Sequence, residues 1–178
     1  MKVIISPAKK MQDATNDFEV RSQPCYLAKT SQLFEWLQQR SYLQLKTIWQ
    51  CSDKLAQLNY QRLQTAKLDQ NLTPALFSYV GLQYSSMAPD LLEEPALDYL
   101  AQNLRILSGL YGILAPFDGI IQYRLEMGAK LGWKDHPDLY QFWGDDLYRE
   151  LYQGAEPVIN LASKEYEKVI ARYLTPDD

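Results

Sequence analysis

With 178 residues, 47% hydrophobic side chains, four tryptophans and thirteen tyrosines, the chain has the composition of a folded globular protein, which excludes a disordered one. Eighteen Lys/Arg against 22 Asp/Glu give a formal net charge of −4, so bulk charge does not signal a basic nucleic-acid binder. The balance is uneven: residues 1–80 carry ten basic and six acidic side chains and residues 81–178 eight and sixteen, which leaves room for a basic patch on the N-terminal part. Cys25 and Cys51 lack CxxC spacing, so no disulfide framework is expected. No apolar run has the length of a signal peptide core or a membrane span, and the chain reads as soluble and cytoplasmic.

In chain order, the β-branched run Val3-Ile4-Ile5 predicts a buried strand, ended by Ser6-Pro7 because proline has no N–H for a ladder. Ala8 to Pro24, with Asp13, Asn16 and Asp17 and no sustained period, reads as a loop. Thr30 or Ser31 is a cap for a helix that turns Leu33, Phe34 and Leu37 inward. A short helix after Ser41 buries Leu45 and Ile48, and Ser52 caps a third with Leu55, Leu58 and Leu63 inward. Thr73-Pro74 is a start signal for a helix ending at Gly81, and Pro95 fits the first turn of one running to Asn103.

Leu104 to Leu107 predicts a second strand, followed by the Gly109-x-x-Gly112 turn. Leu139, Tyr140, Phe142, Trp143 and Leu147 follow Pro137-Asp138 as an amphipathic segment, and Tyr140, Phe142, Trp143 and Tyr148 read as core and core boundary. Pro157 to Leu161 predicts a third buried strand, and Ser163 caps a last helix to Tyr173. Strands alternating with more numerous helices predict an α/β or α+β fold, a small mixed sheet surrounded by helices, as one domain over residues 1–178. If Leu104–Leu107 lies parallel to the other two strands, its turn joins the rim where their C-terminal ends open toward helices, a place where ligands collect.

Several segments on that rim carry chemistry. Ser6-Pro-Ala-Lys-Lys10 sets a hydroxyl and two cations, Lys9 and Lys10, just past a strand, suited to an anion. The Gly109–Gly112 turn either presents backbone N–H groups to a phosphate or is a structural turn; it weakly matches the turn of helix-hairpin-helix DNA binders and is not a Walker A loop. Tyr123-Arg-Leu-Glu126 puts Arg124 and Glu126 two apart, on one face of an extended chain, either around a polar ligand or as a buried ion pair. Asn160, Ser163 and Lys164 stand at a strand-to-helix junction, where a helix N-terminus favours anions and simple capping by Ser163 is the alternative. His136, the only histidine, sits in a polar turn and reads as surface. No cluster has zinc spacing, so neither a metal nor a cofactor is expected, and no catalytic residue is assigned.

Ser6-Pro-Ala-Lys9, Ser52-Asp-Lys-Leu-Ala56, Leu107-Ser-Gly-Leu-Tyr-Gly112 with Pro116 and Asp118, Tyr123-Arg-Leu-Glu-Met127, Phe142-Trp143 and Asn160-Leu-Ala-Ser163 with Glu165-Tyr166 occur together and in order. As a set they resemble the YaaA family of peroxide stress resistance proteins. The resemblance implies a cytosolic protein of the oxidative-stress response that limits damage from iron and peroxide. It also implies a cationic groove, a helix-hairpin-helix element and binding to duplex DNA. The chain departs from the family pattern at Lys10, where members commonly have Thr, and at Ala115, where they usually have Arg. It also stops short of a C-terminal basic segment.

The leading expectation is therefore duplex-DNA binding with low sequence specificity through Ser6, Lys9, Lys10, Gly109, Gly112, Tyr123, Arg124, Glu126, Asn160, Ser163 and Lys164. The alternative is an enzyme acting on a nucleotide or phosphorylated small molecule, with the same residues lining a pocket and Glu126 as a general base. No membrane partner is expected, and oligomeric state is not legible.

Overall fold

A computed structural model describes residues 1–14, 17–154 and 156–176. Asn16 of the expected loop lies outside the described residues. The organising unit is a four-stranded sheet in the order β6 (Gly112–Leu114), β5 (Leu104–Ser108), β1 (Lys2–Ile5), β8 (Val158–Asn160). β1 pairs in parallel with β5, Ile5 opposite Ile106, and in parallel with β8, Ile4 opposite Asn160. The three apolar runs thus lie side by side with their C-terminal ends at one rim, which meets the condition that Leu104–Leu107 lie parallel to the other two. β6 returns antiparallel along β5, so the glycine turn joins two strands of a hairpin and not two helices.

Helices surround the sheet: α1 (Leu27–Gln38), α2 (Tyr42–Trp49), α3 (Asp53–Thr65), α4 (Ala75–Ser78), α5 (Leu82–Met87), α6 (Glu94–Asn103), α7 (Leu139–Trp143), α8 (Asp146–Tyr152) and α9 (Lys164–Ala171). Two small antiparallel pairs complete the fold, β2 (Lys10–Met11) with β4 (Tyr79–Val80), and β3 (Thr73–Pro74) with β7 (Gly119–Ile120). The mixed α/β architecture with a small sheet matches the sequence expectation. The core runs through Ile4, Ile106, Leu107, Leu114, Phe142 and Trp143, all at most 2% exposed, so the aromatic segment of α7 is core.

Local expectations fail where two signals compete. α1 begins at Leu27 after Tyr26, one turn earlier than its expected caps, and Thr30 is buried inside it. α2 keeps its cap: Ser41 and Gln44 form a reciprocal capping box. In α3 the inward stripe is Ala56, Asn59 and Leu63, while Leu55 and Leu58 are exposed. Those two leucines and the true stripe share the same three-residue step, one position apart, so periodicity alone favours the larger side chains. Thr73-Pro74 joins a strand instead of opening a long helix, and α4 is only four residues long. β8 is an edge strand with Ile159 and Leu161 exposed, not a buried one.

Candidate anion-binding cleft

The parallel pairing of β1 and β8 carries the chain ends that follow them to one place. Ser6, directly after β1, meets Ser163, directly before α9: Ser6 Oγ accepts the Ser163 N–H at 2.8 Å and donates to Ser163 Oγ at 3.2 Å. Ser163 therefore does not spend its side chain on capping α9. Tyr84 Oη fixes the same corner by donating to the Ser6 carbonyl at 2.9 Å.

An extended strap, residues 121–127, crosses beside this corner. Between them lies a cleft of about 230 Å³ whose lining includes Ser6, Lys9, Tyr123, Arg124, Glu126 and Ser163. Six of the eleven expected site residues therefore converge on one concavity. Lys9 Nζ stands 2.9 Å from Glu126 Oε2, and an Arg124 terminal nitrogen donates to Glu126 Oε1 at 3.2 Å. The Lys9 side chain is 69% exposed, Glu126 28% and Arg124 13%, so Glu126 bridges an exposed cation at the mouth to a largely buried one in the wall. Glu165 also lines the cleft and accepts the Gly128 N–H at 2.8 Å. With two cations, Lys9 and Arg124, and two carboxylates, Glu126 and Glu165, the lining is electrically balanced.

The wall below is built from phenols. Tyr123 Oη is hydrogen-bonded to Ser108 Oγ at 2.7 Å and to Tyr79 Oη at 2.8 Å. Burial pushes its pKa up to about 12, against the opposing effect of those two bonds, so it is a neutral phenol near pH 7. Burial likewise pushes the Tyr166 hydroxyl up. Tyr166 and Glu165 are cleft residues that the chemical reading did not assign. Their signal was positional, since they occupy the first turn of the helix that Ser163 precedes.

The remaining expected residues lie elsewhere. Gly109 and Gly112 face the protein interior, a correction to their reading as an anion-cradling turn. A Cβ on Gly109 would stand 2.3 Å from the Leu125 carbonyl oxygen of the strap. Gly112 has φ +78°, and a Cβ there would meet Leu147 at 2.8 Å and Trp143 at 2.9 Å. The turn's polar groups are spent internally: the Gly109 carbonyl accepts from Trp143 Nε1 at 3.1 Å, Tyr111 N–H donates to Ser108 Oγ at 2.9 Å, and Tyr111 Oη accepts from the Ile121 N–H at 3.1 Å. Gly109 thus shapes the cleft indirectly, by letting the strap lie close. Asn160 is exposed on β8, its Oδ1 accepting the Ala162 N–H at 3.0 Å, and is not in the cleft lining. Lys10 and Lys164 are exposed, each next in the chain to a lining residue.

Among the described residues no group of three or more His, Cys, Asp or Glu side chains is arranged to hold a metal ion. No helix among them is long and apolar enough to cross a membrane. His136 is half-buried, its ring 5.3 Å from those of Trp133 and Phe142.

A protein from Pediococcus pentosaceus is 54% identical over all 178 residues, which make up 71% of that relative. One from Lactiplantibacillus plantarum is 57% identical over 176 residues, 99% of this chain and 71% of the relative, and one from Ligilactobacillus salivarius 52% identical over the whole chain and 72% of the relative. All three carry the name UPF0246 protein. The profile of the family described as peroxide stress protein YaaA matches residues 1–176, and with the ordered motifs now placed around one cleft and its supporting core, the chain belongs to that family.

Proposed function

We propose that the protein serves its family's peroxide-stress role by binding a small phosphorylated or otherwise anionic molecule in the cleft between Ser6, Arg124 and Ser163. The observation that supports this reading is convergence: side chains from three separate segments enclose one concavity of about 230 Å³. Small-ligand sites are concave and carry a few convergent polar groups, with volumes of roughly 300–1,000 Å³. This cleft approaches that class. A phosphate would take the place of the Glu126 carboxylate on Lys9 and Arg124, with the Ser6 and Ser163 hydroxyls as further partners. Glu126, once released, would be placed to accept a proton from a ligand hydroxyl.

Duplex DNA bound with low sequence specificity is the second reading, and the exposure of Lys9, Lys10 and Lys164 favours it. Action in the cytoplasm, a helix-hairpin-helix contact and limitation of iron-driven damage go with that reading through the family resemblance. Thermal shift against a nucleotide panel and inorganic pyrophosphate, set beside titration with a short duplex, separates the two. The pocket reading expects one nucleotide to stabilise the fold by about 2.7 kcal/mol at a hundred times its Kd, and Lys9→Ala and Arg124→Ala to abolish the shift. Duplex binding whose salt slope falls by about one unit in each variant, with no nucleotide response, would replace the pocket by a DNA surface.

A further inference from the structure

β8 is paired on one side only, with β1. The Lys2 N–H donates to the Pro157 carbonyl and the Leu161 N–H to the Ile4 carbonyl, each at 2.9 Å. Backbone groups alternate along a strand, so the N–H and C=O groups of Val158 and Asn160 point the other way, to an edge that no described strand covers. Side chains alternate as well. Ile159 and Leu161 share one face and are 43% and 58% exposed. The following helix, α9, packs on α7 and α8 and leaves both side chains open. Proteins usually guard an open edge with charge, but Pro157 to Ala162 carries no charged side chain. The relatives are longer than this chain. The Pediococcus pentosaceus protein is 54% identical over all 178 residues, β1 and β8 included, yet the match takes up 71% of it. The Lactiplantibacillus plantarum and Ligilactobacillus salivarius proteins leave a similar share outside the match.

We propose that the outer edge of β8 is a docking site for an extended polypeptide segment, and that its occupant is the part of a family chain outside that match. The segment would add a strand to β8, take up the Val158 and Asn160 backbone groups and cover Ile159 and Leu161. Such a strand is apolar at every second position, on the face it shares with those two side chains. Leu161 lies two residues before Ser163, so the added strand would extend the rim on which the cleft stands.

The test compares amide exchange in this chain with that in the full-length Pediococcus pentosaceus relative. The amides of Val158 and Asn160 are expected to exchange here nearly as fast as in an open chain. Their counterparts in the relative, where the occupant is present, are expected to be slower by about a hundredfold or more. The relative's segment, made as a separate polypeptide and titrated into this chain, should slow both amides here with one saturating Kd. Ile159→Lys combined with Leu161→Lys should abolish that slowing and leave the unfolding midpoint of the free chain in place, since both side chains are exposed. Fast exchange at the counterparts in the relative would overturn the proposal, whether or not the separate segment folds. Slow exchange at Val158 and Asn160 that strengthens with the concentration of this chain alone would overturn it too, by making a second copy the occupant. Slowing that survives the double substitution would move the segment to another surface.

Discussion

Ser6 and Ser163 are 157 residues apart in the chain and share two hydrogen bonds, with Ser6 Oγ accepting the Ser163 N–H at 2.8 Å and donating to Ser163 Oγ at 3.2 Å. Parallel pairing of β1 with β8 brings them together, and the contact then closes the corner on which the cleft is built. Ser6→Ala removes the acceptor of that N–H. A hydrogen bond of this kind contributes about 1 kcal/mol net, so exchange of the Ser163 amide with solvent should accelerate about fivefold. Amide exchange measured residue by residue checks this, and unchanged protection at Ser163 would show that the corner is held by the sheet alone.

Gly109 and Gly112 separate stability from binding. Gly109→Ala drives a methyl group into the backbone of Leu125, in the strap that carries Arg124 and Glu126. Gly112→Ala combines a left-handed φ of +78° with contacts to Leu147 and Trp143 in the core. Each should destabilise the fold by about 1–3 kcal/mol in urea unfolding. Only Gly109→Ala should also weaken anion binding per folded molecule, because only it displaces the strap. Equal loss of binding in both variants would mean that the cleft responds to general destabilisation and not to the position of the strap.

The meeting of Ser6 and Ser163 was legible because two short apolar runs end in polar residues, and parallel pairing of β1 with β8 aligns those ends; the strap that adds Arg124 lies outside the paired strands. The role of the glycines was not. A glycine demanded by a ligand and one demanded by the chain's own carbonyl are the same letter, and the partner here, Leu125, lies sixteen positions away from Gly109 with no local pattern linking them. The pairing of Lys9 with Glu126 was equally hidden, since it joins a loop to the strap across the cleft. In α3 the pattern pointed one position off, because Leu55 and Leu58 outweigh Ala56 and Asn59 on any scale of hydrophobicity. The exposure of Leu55 and Leu58 is set by what α3 packs against, which is information from elsewhere in the chain.

Glu126 holds two cations in its own right, and an incoming anion has to displace it. Glu126→Gln keeps the shape of the side chain and removes the competing charge. Inorganic pyrophosphate should then bind roughly tenfold more tightly, the equivalent of one charge-assisted hydrogen bond no longer contested. The fold should lose about 1–3 kcal/mol, since the exposed Lys9 pair is screened but the largely buried Arg124 loses a charged acceptor. Calorimetric titration of both proteins at one ionic strength is the check. Unchanged or weaker affinity in the variant would mean that Glu126 contacts the ligand and does not compete with it.

Cys25 invites a peroxide-sensing role that its surroundings oppose. Cys25 is exposed at the surface, but partial desolvation of its thiol, then the charges of Glu150 and Asp118, push its pKa up to about 11, and Sγ donates weakly to the Ile113 carbonyl at 3.9 Å. The thiolate is the form that attacks peroxide, and an unperturbed thiol has a pKa near 8.5. At neutral pH Cys25 therefore holds on the order of a hundredfold less thiolate than an unperturbed cysteine. Trapping of the sulfenic acid by dimedone, followed by mass spectrometry, should show oxidation slower by about that factor near pH 7 and rising steeply toward pH 11. Oxidation near neutrality at the rate of a free thiol would refute the shift.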